Sequence, residues 1–249
     1  MGSIPFALQL YTVRDHMGQD AAATLKRVKE IGYDYVELAG TGGLSFAEFK
    51  AVLDDVGLTA IATHVGFDDA TKNVDQLIET ARLFGMEHVV VPGIDRALTP
   101  DKQGWINCGK AMDAGGAKLR EAGVRLSYHN HNHEFEQFDG QYILDIFLGA
   151  AQPENLASEL DTYWVKFGGA DPVAQINKLK GRCPLLHIKD MTPGDDPTFA
   201  EVGRGIIDWA PVFAAGADAG TEWYIVEQDT CPGDSLESAR ISAEFMAAQ

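Results

Sequence analysis

Residues 30–38 read EIGYDYVEL, residues 55–63 read DVGLTAIAT, and residues 121–128 read EAGVRLSY. Each phrase has the same form: the end of an amphipathic helix, a glycine, then a short apolar run. The glycine supplies the positive φ that ends a helix and turns the chain back. The run after it is of strand length and rich in β-branched and aromatic residues. Repeated along a chain, this form predicts parallel strands joined by helices.

Working outward from these phrases, strands are expected at Phe6–Leu10, Tyr35–Leu38, Thr59–Thr63, His88–Val91, Val124–His129, Leu156–Leu160, Leu185–Ile188 and Tyr224–Glu227. Helices are expected at Asp20–Ile31, Ser45–Val56, Thr71–Phe84, a long stretch ending at Ala122, Tyr142–Leu148, Pro172–Leu179, Trp209–Ala217 and Ser235–Met246. Ser45 with Glu48 three residues later forms a capping-box pattern. Eight such units suit a single α/β domain, a (β/α)8 TIM barrel spanning residues 1–249; such a barrel typically takes about 250 residues. The alternative is an open doubly wound sheet, which carries a glycine-rich turn after its first strand. Residues 8–16, LQLYTVRDH, contain no glycine.

The formal net charge of −17 sets the sequence against nucleic acid and anionic membranes as partners. Cys108, Cys183 and Cys231 are odd in number and far apart, which disfavours a disulfide framework or a zinc ribbon. The N-terminus lacks the basic and apolar regions of a signal peptide, and no stretch has the length of a membrane span, so a cytoplasmic location is expected. A homo-oligomer is compatible with the sequence, which does not specify one.

A TIM barrel keeps its chemistry at the C-terminal ends of its strands. Polar residues gather at those ends here: Gln9 and Tyr11, Glu37, His64, His129 with His131 and Glu134, Asp161, His187 with Lys189, and Glu227. A lone histidine there more often bonds a loop, and a lone glutamate more often forms an ion pair. Together they converge on one rim, where clustered carboxylates repel one another unless a cation compensates. Mixed imidazole and carboxylate donors suit Mn2+, Co2+, Fe2+ or Zn2+ better than Ca2+.

The phrases LQLYTVRD (8–15), YHNHNHEF (128–135), ELDTYWV (159–165), LLHIKD (185–190), EVGRGIIDW (201–209) and YIVEQD (224–229) resemble the xylose isomerase-like sugar phosphate isomerase/epimerase superfamily, and the likeness runs from the first strand to the last. The histidine-rich fifth-strand phrase resembles the branch near inosose dehydratases and 3-keto-glycoside enzymes.

The resemblance implies one divalent metal, Mn2+ foremost with Co2+, Mg2+, Fe2+ and Zn2+ as alternatives. Asp161, His187 and Glu227 match its ligands. At the fifth strand, where many members have a glutamate, either Glu134 completes the set or His129 replaces the carboxylate. Glu227, His129, His131 and Lys189 are the implied catalytic groups. Gln9, Glu37, His64, Trp164, Glu201 and Arg204 are the candidate contacts to a small sugar or cyclitol. Structural readings are weighed beside these: a Glu201–Arg204 ion pair, core packing for Trp164, a loop position for His133, and a helix cap and packing for Asp208 and Trp209.

The implied chemistry is removal of a proton from carbon next to a carbonyl, giving an enediolate. Returning the proton isomerises or epimerises the substrate. The alternative is β-elimination by a lyase or dehydratase acting on a keto-sugar, inosose or 3-keto-glycoside. A multi-metal nuclease and a sugar-binding barrel without catalysis are weaker alternatives. No glycine-rich phosphate cradle follows the seventh or eighth strand, so an unphosphorylated substrate is expected.

Overall fold

The computed structural model describes residues 4–249. Eight parallel strands close into a barrel. In chain order they are Phe6–Gln9, Tyr35–Leu38, Thr59–His64, His88–Val91, Arg125–His129, Ala157–Asp161, Leu185–Ile188 and Trp223–Val226. Each pairs with its neighbours in the chain, and the first also pairs with the eighth, which excludes the open sheet. Gly32, Gly57 and Gly123 take φ of +118°, +74° and +81°, as the opening phrases require.

The elements differ from expectation in several places. Where one helix was expected at Thr71–Phe84 there are two, Phe67–Thr71 and Val74–Phe84, with Lys72 and Asn73 between. The first strand stops at Gln9, and a 3₁₀ turn (Leu10–Val13) begins where its continuation was expected; the Gln9 side chain accepts the Tyr11 N–H. A short helix, Thr162–Phe167, precedes Pro172–Lys178, because Asp161 caps it by accepting the Trp164 N–H. The Ser45–Glu48 capping box forms as expected.

Strand alternation sorts the side chains into two cores. Leu8, Val36, Leu160, Leu186 and Val226 face the helices in the larger cluster. Ala7, Ala62, Val90, Leu185 and Ile225 form a second buried cluster, with Tyr35 and Trp223 packed against it. Two residues further along the same strands lie Gln9, His64, His187 and Glu227, so the interior passes from an apolar floor to a polar rim.

The long helix Lys102–Glu121 seats on backbone through glycine. A Cβ on Gly116 would lie 1.8 Å from the Asn155 carbonyl oxygen, and one on Gly115 would lie 1.9 Å from that of Ala70. Alanine favours a helix by about 1 kcal/mol over glycine. Here sterics outweigh it, since the clash can be relieved only by moving backbone. Gly116→Ala is expected to destabilise the fold by about 2–3 kcal/mol. Gly149→Ala, whose Cβ would meet nothing within 4 Å, is the control and should be near neutral. Denaturant melts of both variants check this, and equal midpoints would refute the packing argument.

Candidate active site

Barrel register brings the polar strand ends level. Gln9 stands beside Glu37, His129 beside Glu159, and Asp161 beside His187. Gln9 Nε2 donates to Glu37 Oε2 at 2.8 Å, and the same oxygen lies 2.8 Å from His187 Nε2. His187 Nδ1 is 2.9 Å from Glu227 Oε2. Glu159 Oε2 is met by His64 Nε2 at 3.0 Å, His129 Nδ1 at 3.0 Å and His187 Nε2 at 3.1 Å. His64 is part-buried, and the other members of this network are buried.

Two overlapping groups have donor atoms mutually within 4.8 Å: His64, His129, Glu159 and His187, and His129, Asp161, His187 and Glu227. The residues fit a divalent cation. Glu37 Oε1 and Glu159 Oε1 are buried acceptors without a hydrogen-bond partner, a costly arrangement that a cation would relieve.

Protonated His64, His187 and Lys189 set positive charge among these carboxylates. Burial opposes charge on His187, but Glu159 and Glu227 outweigh it and hold its pKa well above the ordinary histidine value. Burial likewise opposes charge on His64, and Glu37 and Glu159 lift it to about 10. Burial, with His187, His131 and His64 nearby, pushes His129 well below its usual range, so it is neutral. Burial raises the Asp161 carboxyl to about 6, against the pull of Lys189 and His187. Burial also opposes charge on Glu227, yet Lys189 and His187 keep it ionised.

Lys189 is enclosed by carboxylates, with Nζ 2.9 Å from Asp161 Oδ2, 2.7 Å from Glu227 Oε2 and 2.9 Å from Asp229 Oδ1. Burial disfavours its charge, but Asp161, Glu227 and Asp229 raise its pKa well above the ordinary lysine value.

The fifth-strand residue that faces the cluster is His129. Glu134 lies outside both donor groups. Its Oε1 accepts from Tyr128 Oη at 2.5 Å and lies 2.9 Å from His133 Nε2, while its Oε2 accepts the His131 N–H at 2.9 Å. These partners explain why it does not swing toward the cluster, and they place His133 beside its carboxylate. His131 lines the mouth of the site, a cavity of about 590 Å3 shared with Tyr11, His64, His129, Glu227 and Asp229. The Trp164 ring packs 5.3 Å from His131 and 5.7 Å from Lys189 Nζ, and its indole N–H has no partner.

The loop residues are placed elsewhere. Glu201 accepts the Ser238 hydroxyl at 2.8 Å, Arg204 is exposed, and neither lines the mouth. The expected ion-pair partner of Glu201 is thus replaced by a serine. The loop is held instead by Asp190. Its Oδ2 accepts from Gly203 N, Gly205 N and Trp209 Nε1 at 3.0–3.1 Å, and its Oδ1 from Met191 N and Ile207 N at 2.8 and 3.1 Å.

Sequence reasoning missed Glu159 and Asp229. Each had a signal: Glu159 lies two residues before Asp161, and Asp229 two residues after Glu227. In an extended chain that spacing repeats a face.

A sugar phosphate isomerase/epimerase from Parabacteroides distasonis superposes with a TM-score of 0.85 at 23% identity, over 100% of this chain and 95% of that one. A probable 3-DHS dehydratase from Bacillus anthracis gives 0.76 at 14%, over 98% of each chain. In sequence, an inosose dehydratase from Lacticaseibacillus casei is 23% identical over 185 residues, 65% of this chain and 61% of that protein. The chain thus spans less than two thirds of that relative's length. The profile described as "Xylose isomerase-like TIM barrel" matches residues 25–249, and the chain belongs to that family.

Proposed function

We propose that this barrel is a divalent-metal-dependent enzyme that moves a proton on carbon adjacent to a carbonyl in a small sugar or cyclitol, as an isomerase or epimerase. The carrying observation is the convergence of His129, Asp161, His187 and Glu227 at the C-terminal rim, with Glu159 and His64 against them. These residues would hold the ion, which would supply Lewis-acid polarisation of the substrate oxygens.

The protein's own groups divide the proton work. His131, held below the usual histidine range chiefly by burial, and Glu227, ionised, with a second carboxylate oxygen to spare, are both proton acceptors at the mouth, and they follow the fifth and eighth strands with two strands between them. Either takes the proton, and the other can return one from a different direction. Lys189, protonated, holds the Asp161, Glu227 and Asp229 carboxylates in place with its three N–H groups. Glu37 and Gln9 set the orientation of His187 through the Glu37 carboxylate. Trp164 packs over Lys189 and His131.

One observation favours elimination as a second reading. The proton that Glu227 or His131 takes can be passed on to a departing β-hydroxyl or β-alkoxyl group, so the same pair of acceptors serves an elimination. The likeness to inosose and 3-DHS dehydratases supports the same reading.

The test is incubation with Mn2+ and a panel of keto-sugars and keto-cyclitols in deuterium oxide, followed by NMR. Deuterium at the carbon next to the carbonyl, with an isomeric product, supports the first reading. An unsaturated product or a released aglycone supports the second. No exchange with any member of the panel would refute both.

Metal affinity should depend on pH, because the ion competes with protons for its donors. Asp161, at about 6, must be ionised to bind it. From pH 7 to pH 5 the ionised fraction falls about tenfold, so affinity should fall by at least that factor; His187 and His64, protonated in the metal-free protein, steepen the loss. Calorimetric titration of Mn2+ at the two pH values checks this. A flat profile would rule out binding through Asp161.

A further inference from the structure

A second cavity, of about 300 Å3, lies beside the mouth. The two cavities share His64, Val65 and Gly66. The loop after the second strand borders both, with Ala39 in the mouth and Gly40 and Thr41 in the second cavity. Leu38, Phe46, Leu77 and Phe84 give the second cavity apolar walls, and Asp69, Asn73 and Gln76 form part of its lining on one side. Phe46 is 48% exposed, an uncommon position for phenylalanine, and its ring stands edge-on to Phe84 at 6.0 Å. The break between Phe67–Thr71 and Val74–Phe84 leads the chain around this cavity, and no role in proton transfer accounts for it.

We infer that the cavity walled by Phe46, Leu77 and Phe84 is a substrate subsite that takes an apolar ring attached to the reacting sugar or cyclitol, so that the substrate is a ring-substituted glycoside rather than a bare monosaccharide. The inference rests on the proposed reaction centre for its direction. Because His64, Val65 and Gly66 line both cavities, a substituent that reaches past these residues from a group held at His129 and Glu227 enters the second cavity. The apolar walls remove a planar ring from water, and the exposed Phe46 offers it a face.

The probes are phenyl β-D-glucopyranoside and methyl β-D-glucopyranoside, unreacting glycosides that differ only in the substituent. Each is titrated by NMR against the full chain supplied with Mn2+. The phenyl glycoside should bind about tenfold or more tightly than the methyl glycoside. Phe46→Ala, and separately Gln76→Trp, which fills the cavity from an exposed position, should bring the ratio close to one. Asp161→Asn should leave the ratio intact. Equal affinities in the unaltered protein, no measurable binding of the phenyl glycoside, or a preference that survives both cavity substitutions would each overturn the subsite. Mn2+ broadening of the bound phenyl signals reads the metal separately. If broadening is absent while the ratio holds, the metal reading fails and the subsite stands.

Discussion

Asp161→Asn should abolish divalent-metal binding and reduce deuterium exchange into substrate by about three orders of magnitude or more, with the barrel still folded. The size follows from the several kcal/mol that a Lewis acid contributes to charge stabilisation next to a carbonyl. Asparagine keeps the volume and an oxygen for the Trp164 N–H that Asp161 Oδ1 now accepts at 2.9 Å. The negative charge and the Oδ2 acceptor facing Lys189 are lost while the helix cap is kept, so a folded, inactive variant separates chemistry from structure. His187→Ala should be as inactive and less stable, because it strips the shared partner from Glu37, Glu159 and Glu227. Metal analysis after gel filtration, with circular dichroism and the exchange assay, decides. A metal-free variant that still exchanges would remove the proposed centre.

The second large effect is expected at a residue outside the donor cluster. Asp190→Ala should destabilise the protein by about 3–5 kcal/mol and expose residues 201–209 to protease, since it strands buried donors that a carboxylate now satisfies. Those donors are the N–H groups of Met191, Gly203, Gly205 and Ile207 and the Trp209 indole. The seat is tight: a Cβ on Gly205 would fall 2.2 Å from Asp190 Oδ1. Trp209→Phe, which removes one of these bonds, should cost about 1 kcal/mol. Denaturant unfolding of the two variants gives the comparison. A loss of under 1 kcal/mol for Asp190→Ala would show that the loop is held by other contacts.

The sites were unequally readable because sequence shows what stands at a strand end, not how strands are staggered. Asp161, His187 and Glu227 are polar breaks at the ends of apolar runs and could be read directly. His129 and Glu134 were both candidates because each lies within reach of the same strand end. Their separation came from Tyr128 and His133, which hold Glu134 away from the cluster. Glu159 was hidden inside its strand, where a carboxylate is uncommon. Register places it level with His129, so its oxygen meets three imidazoles.

What the amino-acid order determined by itself was the barrel. Glycine stops, strand-length apolar runs and amphipathic helices are local features, set by φ preference and periodicity, and eight repeats of them have few ways to close. It also determined which side of the barrel is polar, because strand alternation carries Gln9, Glu37, His187 and Glu227 inward above the apolar floor. Only the tertiary structure decided which donors share one point in space, that Lys189 is enclosed by Asp161, Glu227 and Asp229, and that Glu201 faces Ser238 rather than Arg204. Those outcomes depend on strand stagger and on competition between hydrogen-bond partners distant in the chain, which no local pattern encodes.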